Sequence, residues 1–179
     1  MYVGDGMARR VKPSPEKFYG STIGWGGWTF RVLSSLQGVR YLDLHPTPFP
    51  VLEEKLHAKI VPDDLANEVV LDQLHAYLDG RRKAFAVPLD LRGTPFQQSV
   101  WEAVSEIPYG KTVAYADIAL RIGRANALRA VGQAVGANPV PIIVPCHRVV
   151  GKGGQLTGFG GGLPLKERLL ALERGSLNL

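Results

Sequence analysis

The residues best suited to covalent chemistry lie together at the end of the segment from Pro139 to Val150. This segment holds the only cysteine of the chain, Cys146, which follows an apolar run and is followed at once by His147 and Arg148. A thiol reacts as its thiolate, and neighbouring cations lower its pKa. We therefore predict an exposed, reactive thiolate at Cys146. The common alternative for a lone cysteine is a small buried hydrophobe.

His147 is the candidate base for this thiol, because it is the only histidine in the second half of the chain. A cysteine nucleophile needs a base or cation nearby and an electrophile delivered to it. Adjacent side chains on an extended segment point to opposite faces, so we expect water to relay the proton from Cys146 to His147. An ordinary surface histidine is the alternative. The spacing of His45, His57, His75, Cys146 and His147 matches no known ligand set, so we predict no metal site.

The distribution of charge suggests a polyanionic partner. The formal net charge is +5, and no acidic residue occurs between Asp117 and Glu167. The same stretch contains six basic residues: Arg121, Arg124, Arg129, Arg148, Lys152 and Lys166. One sign of charge over so long a stretch is typical of nucleic-acid-binding surfaces, although a solvated basic face gives the same pattern.

The composition also indicates the compartment and the character of the N-terminal residues. No segment approaches the length of a membrane span, so no membrane partner is expected. A single cysteine excludes an internal disulfide and favours a reducing compartment, which we take to be the cytoplasm. Residues 1–17 are polar and contain prolines, which predicts a poorly packed arm.

The first half of the chain has the pattern of a small α/β domain that ends near residue 91. Short apolar runs separated by glycines predict meandering strands from Phe18 to Leu44, followed by a proline-rich loop from His45 to Pro50. A helix is predicted from Asp64 to Leu78. Its apolar face would consist of Leu65, Val69, Leu71, Leu74 and Leu78. The alternating residues from Ala84 to Leu91 predict a closing strand.

The second half is predicted to be mainly helical. A helix should run from Thr94 to Ile107, with Thr94 as its cap and a proline at its first position. Short helices at 115–122 and 125–135, joined by a tight turn at Gly123, predict a helix-turn-helix. Arg129 lies on the second of these among small residues, which indicates either close approach to DNA or tight helix packing; the charge distribution favours DNA. A glycine-rich loop and a last amphipathic helix follow at 151–162 and 164–174.

Several motifs, in the same order along the chain, resemble those of the O(6)-alkylguanine-DNA alkyltransferases, also called methylated-DNA–protein-cysteine methyltransferases. They are Phe96–Trp101, Ile107–Gly110, Arg129–Gly132, Asn138–Pro139, Pro145–Val149 and the last helix with Lys166 and Glu173. The first half is similar only through the Ser21–Gly24 turn and its general layout. The resemblance implies an α/β fold. The chain would form two domains. Residues 1–91 would form a ribonuclease H-like α/β domain, and residues 92–179 a mainly helical, winged-helix-like domain that contains the helix-turn-helix.

The resemblance further implies an activity, DNA repair by direct reversal. The alkyl group of O(6)-alkylguanine in double-stranded DNA would pass irreversibly to Cys146, and O(4)-alkylthymine stays open as a second substrate. The protein would act once, as a monomer and without a cofactor. Two other functions stay open: a non-catalytic protein that binds alkylated lesions, and a cysteine hydrolase.

Four further residues receive catalytic roles from the resemblance. His147 matches the residue that deprotonates the cysteine through water, and Glu173 matches the carboxylate that orients this histidine. Asn138 matches the asparagine that braces the active-site turn, and Tyr115 matches the tyrosine that crowds the target phosphate and donates to the base. Taken alone, the last three could be a surface glutamate, a helix C-terminal cap and a core aromatic.

The remaining assignments concern DNA and the base. Arg129 matches the residue that fills the gap left by a flipped nucleotide, and the small residues around it favour the minor groove. Further DNA contacts are expected from Tyr115, Ala127, Lys152 and Arg124. The base pocket is expected to include Val149, Phe159, Gly160 and Lys166. Phe159 and Gly160 stand where many relatives have tyrosine and some have serine, which leaves fewer hydroxyl donors. The cysteines of the zinc site found in some relatives are missing.

Overall fold

The N-terminal half is built on a four-stranded sheet in the order β3-β2-β1-β4. The computed structural model describes residues 15–176. The strands are β1 (Glu16–Trp25), β2 (Trp28–Ser35), β3 (Gly38–Asp43) and β4 (Ala58–Pro62). The first three pair antiparallel, as the predicted meander requires, and β4 pairs parallel with β1. The predicted arm is wrong for Glu16 and Lys17, which begin β1, whereas residues 1–14 lie outside the described part of the chain.

One helix and one strand of this half were not expected. The predicted loop at 45–50 ends inside α1 (Phe49–Leu56), where Pro50 occupies an early position that tolerates a missing N–H. Helix α1 carries the chain across to β4, which makes the parallel pairing possible. Short proline-containing segments of this kind have too few residues for a periodic pattern to reveal a helix.

Helix α2 (Glu68–Leu78) begins four residues later than predicted. Two residues of the expected apolar face are exposed, Leu65 at 80% and Val69 at 62%. Leu74 and Leu78 are buried as predicted, and Val70 and Tyr77 complete the face that packs into the core. The hydroxyl of Tyr77 points into the interior of the molecule, where it contacts Glu173 and His147.

The predicted strand from Ala84 to Leu91 is wrong. This segment is extended but pairs only through an isolated bridge between Val39 and Leu89. The carbonyl of Pro88 accepts from the N–H of Val39 (2.9 Å), and the carbonyl of Val39 accepts from the N–H of Asp90 (2.9 Å). Pro88 has no N–H to extend the ladder, so the pairing stops there.

The second half contains four helices and a two-stranded parallel ladder. The helices are α3 (Pro95–Ser105), α4 (Tyr115–Arg121), α5 (Leu128–Gly136) and α6 (Leu163–Glu173), and the ladder pairs β5 (Val113–Ala114) with β6 (Val149–Val150). The predicted cap of α3 is confirmed, because the Thr94 hydroxyl accepts from the N–H of Gln97. Helix α5 starts three residues later than expected. No described helix has the length and apolarity needed to cross a membrane.

Two core clusters enclose the segment that carries Cys146. One cluster packs α3, α4 and α5 around Val144, Cys146 and Val149. The other combines strands β1–β3 and α2 with Val140, Ile142 and residues of α6. The division of the chain at residue 91 stays a prediction, and the second cluster contains residues from both sides of it. The Cys146 segment is therefore held between the sheet half and the helical half.

Candidate active site

Cys146 opens a short 3-10 turn (Cys146–Arg148) that leads into β6. Asn138 braces this turn, because its Nδ2 donates to the carbonyl of Val144 (2.8 Å) and its Oδ1 accepts from the N–H of Val140 (3.0 Å). The N–H of Cys146 also donates to Val144 (2.7 Å). Within the braced loop Ile142 has a φ of 73°, which a β-branched residue adopts only when its surroundings impose it. Packing and hydrogen bonds thus fix the position of the sulfur.

The thiol is buried, contrary to the predicted exposed thiolate. Cys146 is only 7% exposed, and burial raises its pKa to about 11. A hydrogen bond with Asn138, the charge of Lys166 and nearby backbone groups partly oppose this effect. The expectation failed because neighbours in sequence were taken as neighbours in space: Arg148 turns away and pairs with Glu173. At neutral pH the resting residue is a neutral thiol.

His147 is fully buried behind the cysteine. Its Nε2 lies 2.8 Å from Glu173 Oε1 and 3.2 Å from the hydroxyl of Tyr77. Its Nδ1 is buried and makes no hydrogen bond to the described residues. Burial lowers the pKa of His147, although Glu173 acts in the opposite direction. The histidine is therefore neutral, with the proton on Nε2 and the lone pair on Nδ1.

Glu173 is the centre of the hydrogen-bond network. Its two carboxylate oxygens accept from the Arg148 guanidinium at 2.9–3.0 Å, and Oε2 also accepts from the N–H of Gly110 (2.8 Å). Tyr77 donates its hydroxyl to Oε1. Burial alone would raise the pKa of Glu173, but hydrogen bonds and charges from His147, Arg148 and Tyr77 lower it to about 2. The carboxylate therefore stays ionised and fixed in place.

Two members of this network were missed from the sequence. Arg148 was recognised only as a cation beside the thiol. It directly follows His147, which was already expected to contact Glu173, and this position could have indicated a contact between Arg148 and Glu173. Tyr77 lies on α2, 96 residues away from Glu173 in sequence. No local pattern distinguishes it from an ordinary core aromatic residue.

A cavity of about 270 Å³ opens in front of the sulfur. It is lined by Tyr115, Gly132, Val135, Gly136, Asn138, Pro141, Cys146, Gly158, Phe159 and Gly160. Its size is close to the lower limit of small-molecule pockets. The hydroxyl of Thr157 lies 3.4 Å from that of Tyr115 and adds a polar group near the cavity. The cavity thus brings together Cys146, Asn138, Tyr115, Phe159 and Gly160 from the predicted set.

Val149 and Lys166 do not line this cavity. Lys166 is fully buried, and its Nζ donates to the carbonyls of Val149 (2.6 Å) and Thr157 (3.0 Å). The lysine therefore connects the glycine-rich loop to β6 without lining the cavity. His45 anchors the same loop from the N-terminal half, because its Nε2 lies 2.9 Å from the carbonyl of Gly160.

A wide open groove of about 880 Å³ adjoins the cavity at Tyr115 and Gly132. Arg129 and Lys152 line it and are exposed. Ala127 and Arg124 do not: Ala127 precedes α5 as its cap residue, and Arg124 is exposed in the turn before it. The groove therefore gathers two of the predicted DNA-binding cations at the mouth of the cavity.

The small residues of α5 leave space for a ligand. A Cβ added at Gly132 or Gly136 would meet no protein atom within 4 Å. Helix packing therefore does not require glycine at either position, which removes the packing alternative for these two residues. Both line the cavity. Among residues 15–176 no group of three or more histidine, cysteine or acidic side chains could hold a metal ion.

Comparison with known proteins identifies the family. Residues 95–175 match the DNA-binding domain of 6-O-methylguanine DNA methyltransferase. An inducible methylated-DNA–protein-cysteine methyltransferase of Bacillus subtilis is 44% identical over 169 residues, which are 92% of this chain and 94% of that protein.

The same fold occurs in solved structures. The O6-methylguanine methyltransferase of Mycobacterium tuberculosis superposes with a TM-score of 0.77 at 42% identity, covering 90% of this chain and 94% of the other. A complex of the M. tuberculosis protein with DNA gives a TM-score of 0.76 at 40% identity over 89% of this chain and 94% of the other. Sequence and fold agree over nearly the whole length, and this chain belongs to the methylated-DNA–protein-cysteine methyltransferases.

Proposed function

We propose that this protein repairs DNA by taking the alkyl group of O(6)-alkylguanine onto Cys146 in a single, irreversible turnover. The observation that carries the proposal is the position of the sole cysteine. Its sulfur lies on the wall of a cavity that adjoins a cationic groove, with a neutral histidine and an ionised glutamate behind it. The names of the related methyltransferases support the reaction, and the DNA complex of the M. tuberculosis protein supports the partner.

The chemistry begins with a neutral thiol. His147 accepts the thiol proton on Nδ1 through water, and the Nε2–H to Glu173 bond stabilises the imidazolium that forms. Because the pKa of Cys146 is raised and that of His147 is lowered, this transfer is uphill in the free protein. We propose that deprotonation is coupled to attack, when a bound base places its alkyl carbon against the sulfur.

The bonds balance in a single substitution. The sulfur forms a bond to the alkyl carbon, the bond from that carbon to the guanine O6 breaks, and its electron pair stays on the guanine. Tyr115 donates a proton to the leaving base and recovers one from solvent, and His147 releases to solvent the proton that it took from the thiol. The products are unmodified guanine and a thioether at Cys146. A thioether carries no acidic S–H and is a poor leaving group, so the protein is consumed.

The groove accounts for access to the lesion. The alkylated oxygen is unreachable inside a duplex, so the nucleotide must be extruded, which costs a few kcal/mol. We propose that Arg129 enters the space left in the duplex from the minor-groove side and that Tyr115 presses on the adjacent phosphate. Lys152 and Arg124 attract phosphates, and Ala127 permits close approach of the backbone at the start of α5.

The protein is proposed to act as a monomer in the cytoplasm. A DNA-directed reaction that uses one reduced cysteine suits a reducing compartment. Phe159 gives the cavity an apolar wall, and Gly160 adds no hydroxyl there, so the cavity has the hydroxyl of Tyr115, with that of Thr157 3.4 Å from it. The alkyl groups accepted, and activity on O(4)-alkylthymine, depend on this lining.

Intact-protein mass spectrometry tests the proposal. Incubation with excess methylated duplex should add one methyl group per protein molecule, located on the Cys146 peptide, and Cys146→Ala should add none. A lesion-binding protein would bind the duplex without gaining mass. Release of many product molecules per protein would contradict a single turnover and favour the hydrolase.

A further inference from the structure

Tyr77 connects the N-terminal half of the protein directly to the catalytic network. Its side chain is fully buried on α2, with its ring 5.0 Å from that of Phe85 and 5.9 Å, edge-on, from that of Tyr109. The hydroxyl reaches Glu173 Oε1 and lies 3.2 Å from His147 Nε2. The two contacts place the hydroxyl beside both the histidine proposed as the base and the carboxylate that orients it.

We propose that Tyr77 is a positioning residue of the alkyl-transfer reaction, whose hydroxyl bonds to Glu173 and holds His147 neutral with Nδ1 free to act as the base. This inference rests on the proposed transfer to Cys146. It assigns a residue of the sheet half to a reaction whose other groups all come from the helical half.

The direction of the hydrogen bond follows from the protonation of both partners. Burial and the charge of Glu173 raise the pKa of Tyr77 well above 10, so its hydroxyl keeps its proton. The carboxylate is ionised and can only accept. The phenol therefore donates to Oε1, the same oxygen that accepts from His147 Nε2.

Sharing this oxygen limits how strongly Glu173 stabilises the imidazolium. A carboxylate oxygen that already accepts one charge-assisted hydrogen bond has less electron density for a second donor. The groups that act on His147 are Glu173 and Lys166 from α6, Arg148 and Cys146 from its own turn, and Tyr77 from α2. Of these, Tyr77 is the neutral group that donates to Glu173 Oε1. The strength of its hydrogen bond can therefore be changed by substitution without altering the charge of the site.

The alternative is that Tyr77 is a core aromatic whose hydroxyl is merely satisfied by the carboxylate. In that case its loss would change stability but not the pH dependence of the reaction. If the hydroxyl competes for Oε1, its loss makes Glu173 more basic towards His147, and protonation of the histidine occurs at higher pH. The acid limb of the rate profile should then move upward.

The experiment measures reaction of the full-length protein with O(6)-benzylguanine as a function of pH, since this free base needs no DNA binding or extrusion. In Tyr77→Phe, the acid limb should move to higher pH by up to about one unit, a tenfold lower rate on that limb. Tyr109→Phe is the matched control, because it removes a neighbouring hydroxyl that makes no hydrogen bond to Glu173 or His147 among the described contacts. Its profile should equal that of the wild type.

A second variant keeps the test decisive if Tyr77→Phe does not fold. Replacement of Tyr77 by 3-fluorotyrosine retains the ring and makes the hydroxyl more acidic, hence a stronger donor, so the acid limb should move to lower pH. An unmoved limb in the folded Tyr77 variants, or an equal shift in Tyr109→Phe, would overturn the role of Tyr77 alone. A wild type whose Cys146 gains no benzyl group would overturn the proposed function and this inference with it.

Discussion

The charge of Glu173 should make an acid-sensitive contribution to the stability of the folded protein. Its pKa falls from an ordinary 4.5 to about 2 on folding, which corresponds to roughly 3 kcal/mol at neutral pH. Because the folded pKa is the lower one, this stabilisation is complete above about pH 4.5 and is lost as the pH falls towards 2. His147 acts in the same direction from a higher pH, because its lowered pKa means that the unfolded chain takes up the proton first.

Glu173→Gln tests this reasoning because it keeps the shape of the side chain and removes its charge. The free energy of unfolding should fall by roughly 3 kcal/mol at pH 7, since Arg148 is left buried without its counter-charge. The difference in free energy of unfolding between Glu173→Gln and the wild type should narrow to about 1 kcal/mol near pH 3. At that pH the ionised carboxylate contributes much less to the stability of the wild type.

The measurement is urea unfolding of both proteins between pH 7 and pH 3, with Glu167→Gln as the control. Glu167 lies exposed on the same helix, so its replacement should change stability by less than about 0.5 kcal/mol. A loss for Glu173→Gln that is the same at pH 7 and pH 3 would refute the reasoning, because it would be due to packing rather than charge.

Three further substitutions separate binding, extrusion and folding. Arg129→Ala should slow repair of duplex DNA strongly but barely change the rate with O(6)-benzylguanine; equal losses on both substrates would remove Arg129 from extrusion. Lys152→Gln should weaken binding to duplexes of any sequence and reduce the slope of log affinity against log salt by about one phosphate contact, as measured by fluorescence titration. Thr94→Ala should lower the free energy of unfolding by about 1 kcal/mol in urea unfolding, since the hydrogen bond from the N–H of Gln97 to the Thr94 hydroxyl is lost.

The sequence predicted those features that depend on short stretches of chain. Thr94 followed by Pro95 located the start of α3, and alternating apolar residues located the strands of the meander. The motif around Cys146 contains the thiol that lines the cavity, and the structure places Glu173 within hydrogen-bond distance of His147 and Asn138 within hydrogen-bond distance of the carbonyl of Val144. Local chemistry was sufficient for these, because caps, turns and alternation are decided by neighbouring residues.

The features that failed depend on contacts between distant residues. The helix register that buries Tyr77 and exposes Val69 depends on what α2 packs against, which periodicity over one helix does not specify. The protonation of Cys146 depends on burial by the opposite half of the molecule and on the capture of Arg148 by Glu173. In both cases contacts between residues far apart in the sequence decide the outcome.

The raised pKa of Cys146 is consistent with the proposed single turnover. A permanently ionised, exposed cysteine would be oxidised or alkylated by small electrophiles before it met a lesion. Here the sulfur is buried and protonated, and His147, the proposed base, is fully buried as well. Attack then requires a ligand that fills the cavity and presents an electrophilic carbon to the sulfur. We therefore propose that the thiolate forms only when the cavity is occupied, which restricts the reaction to a bound electrophile.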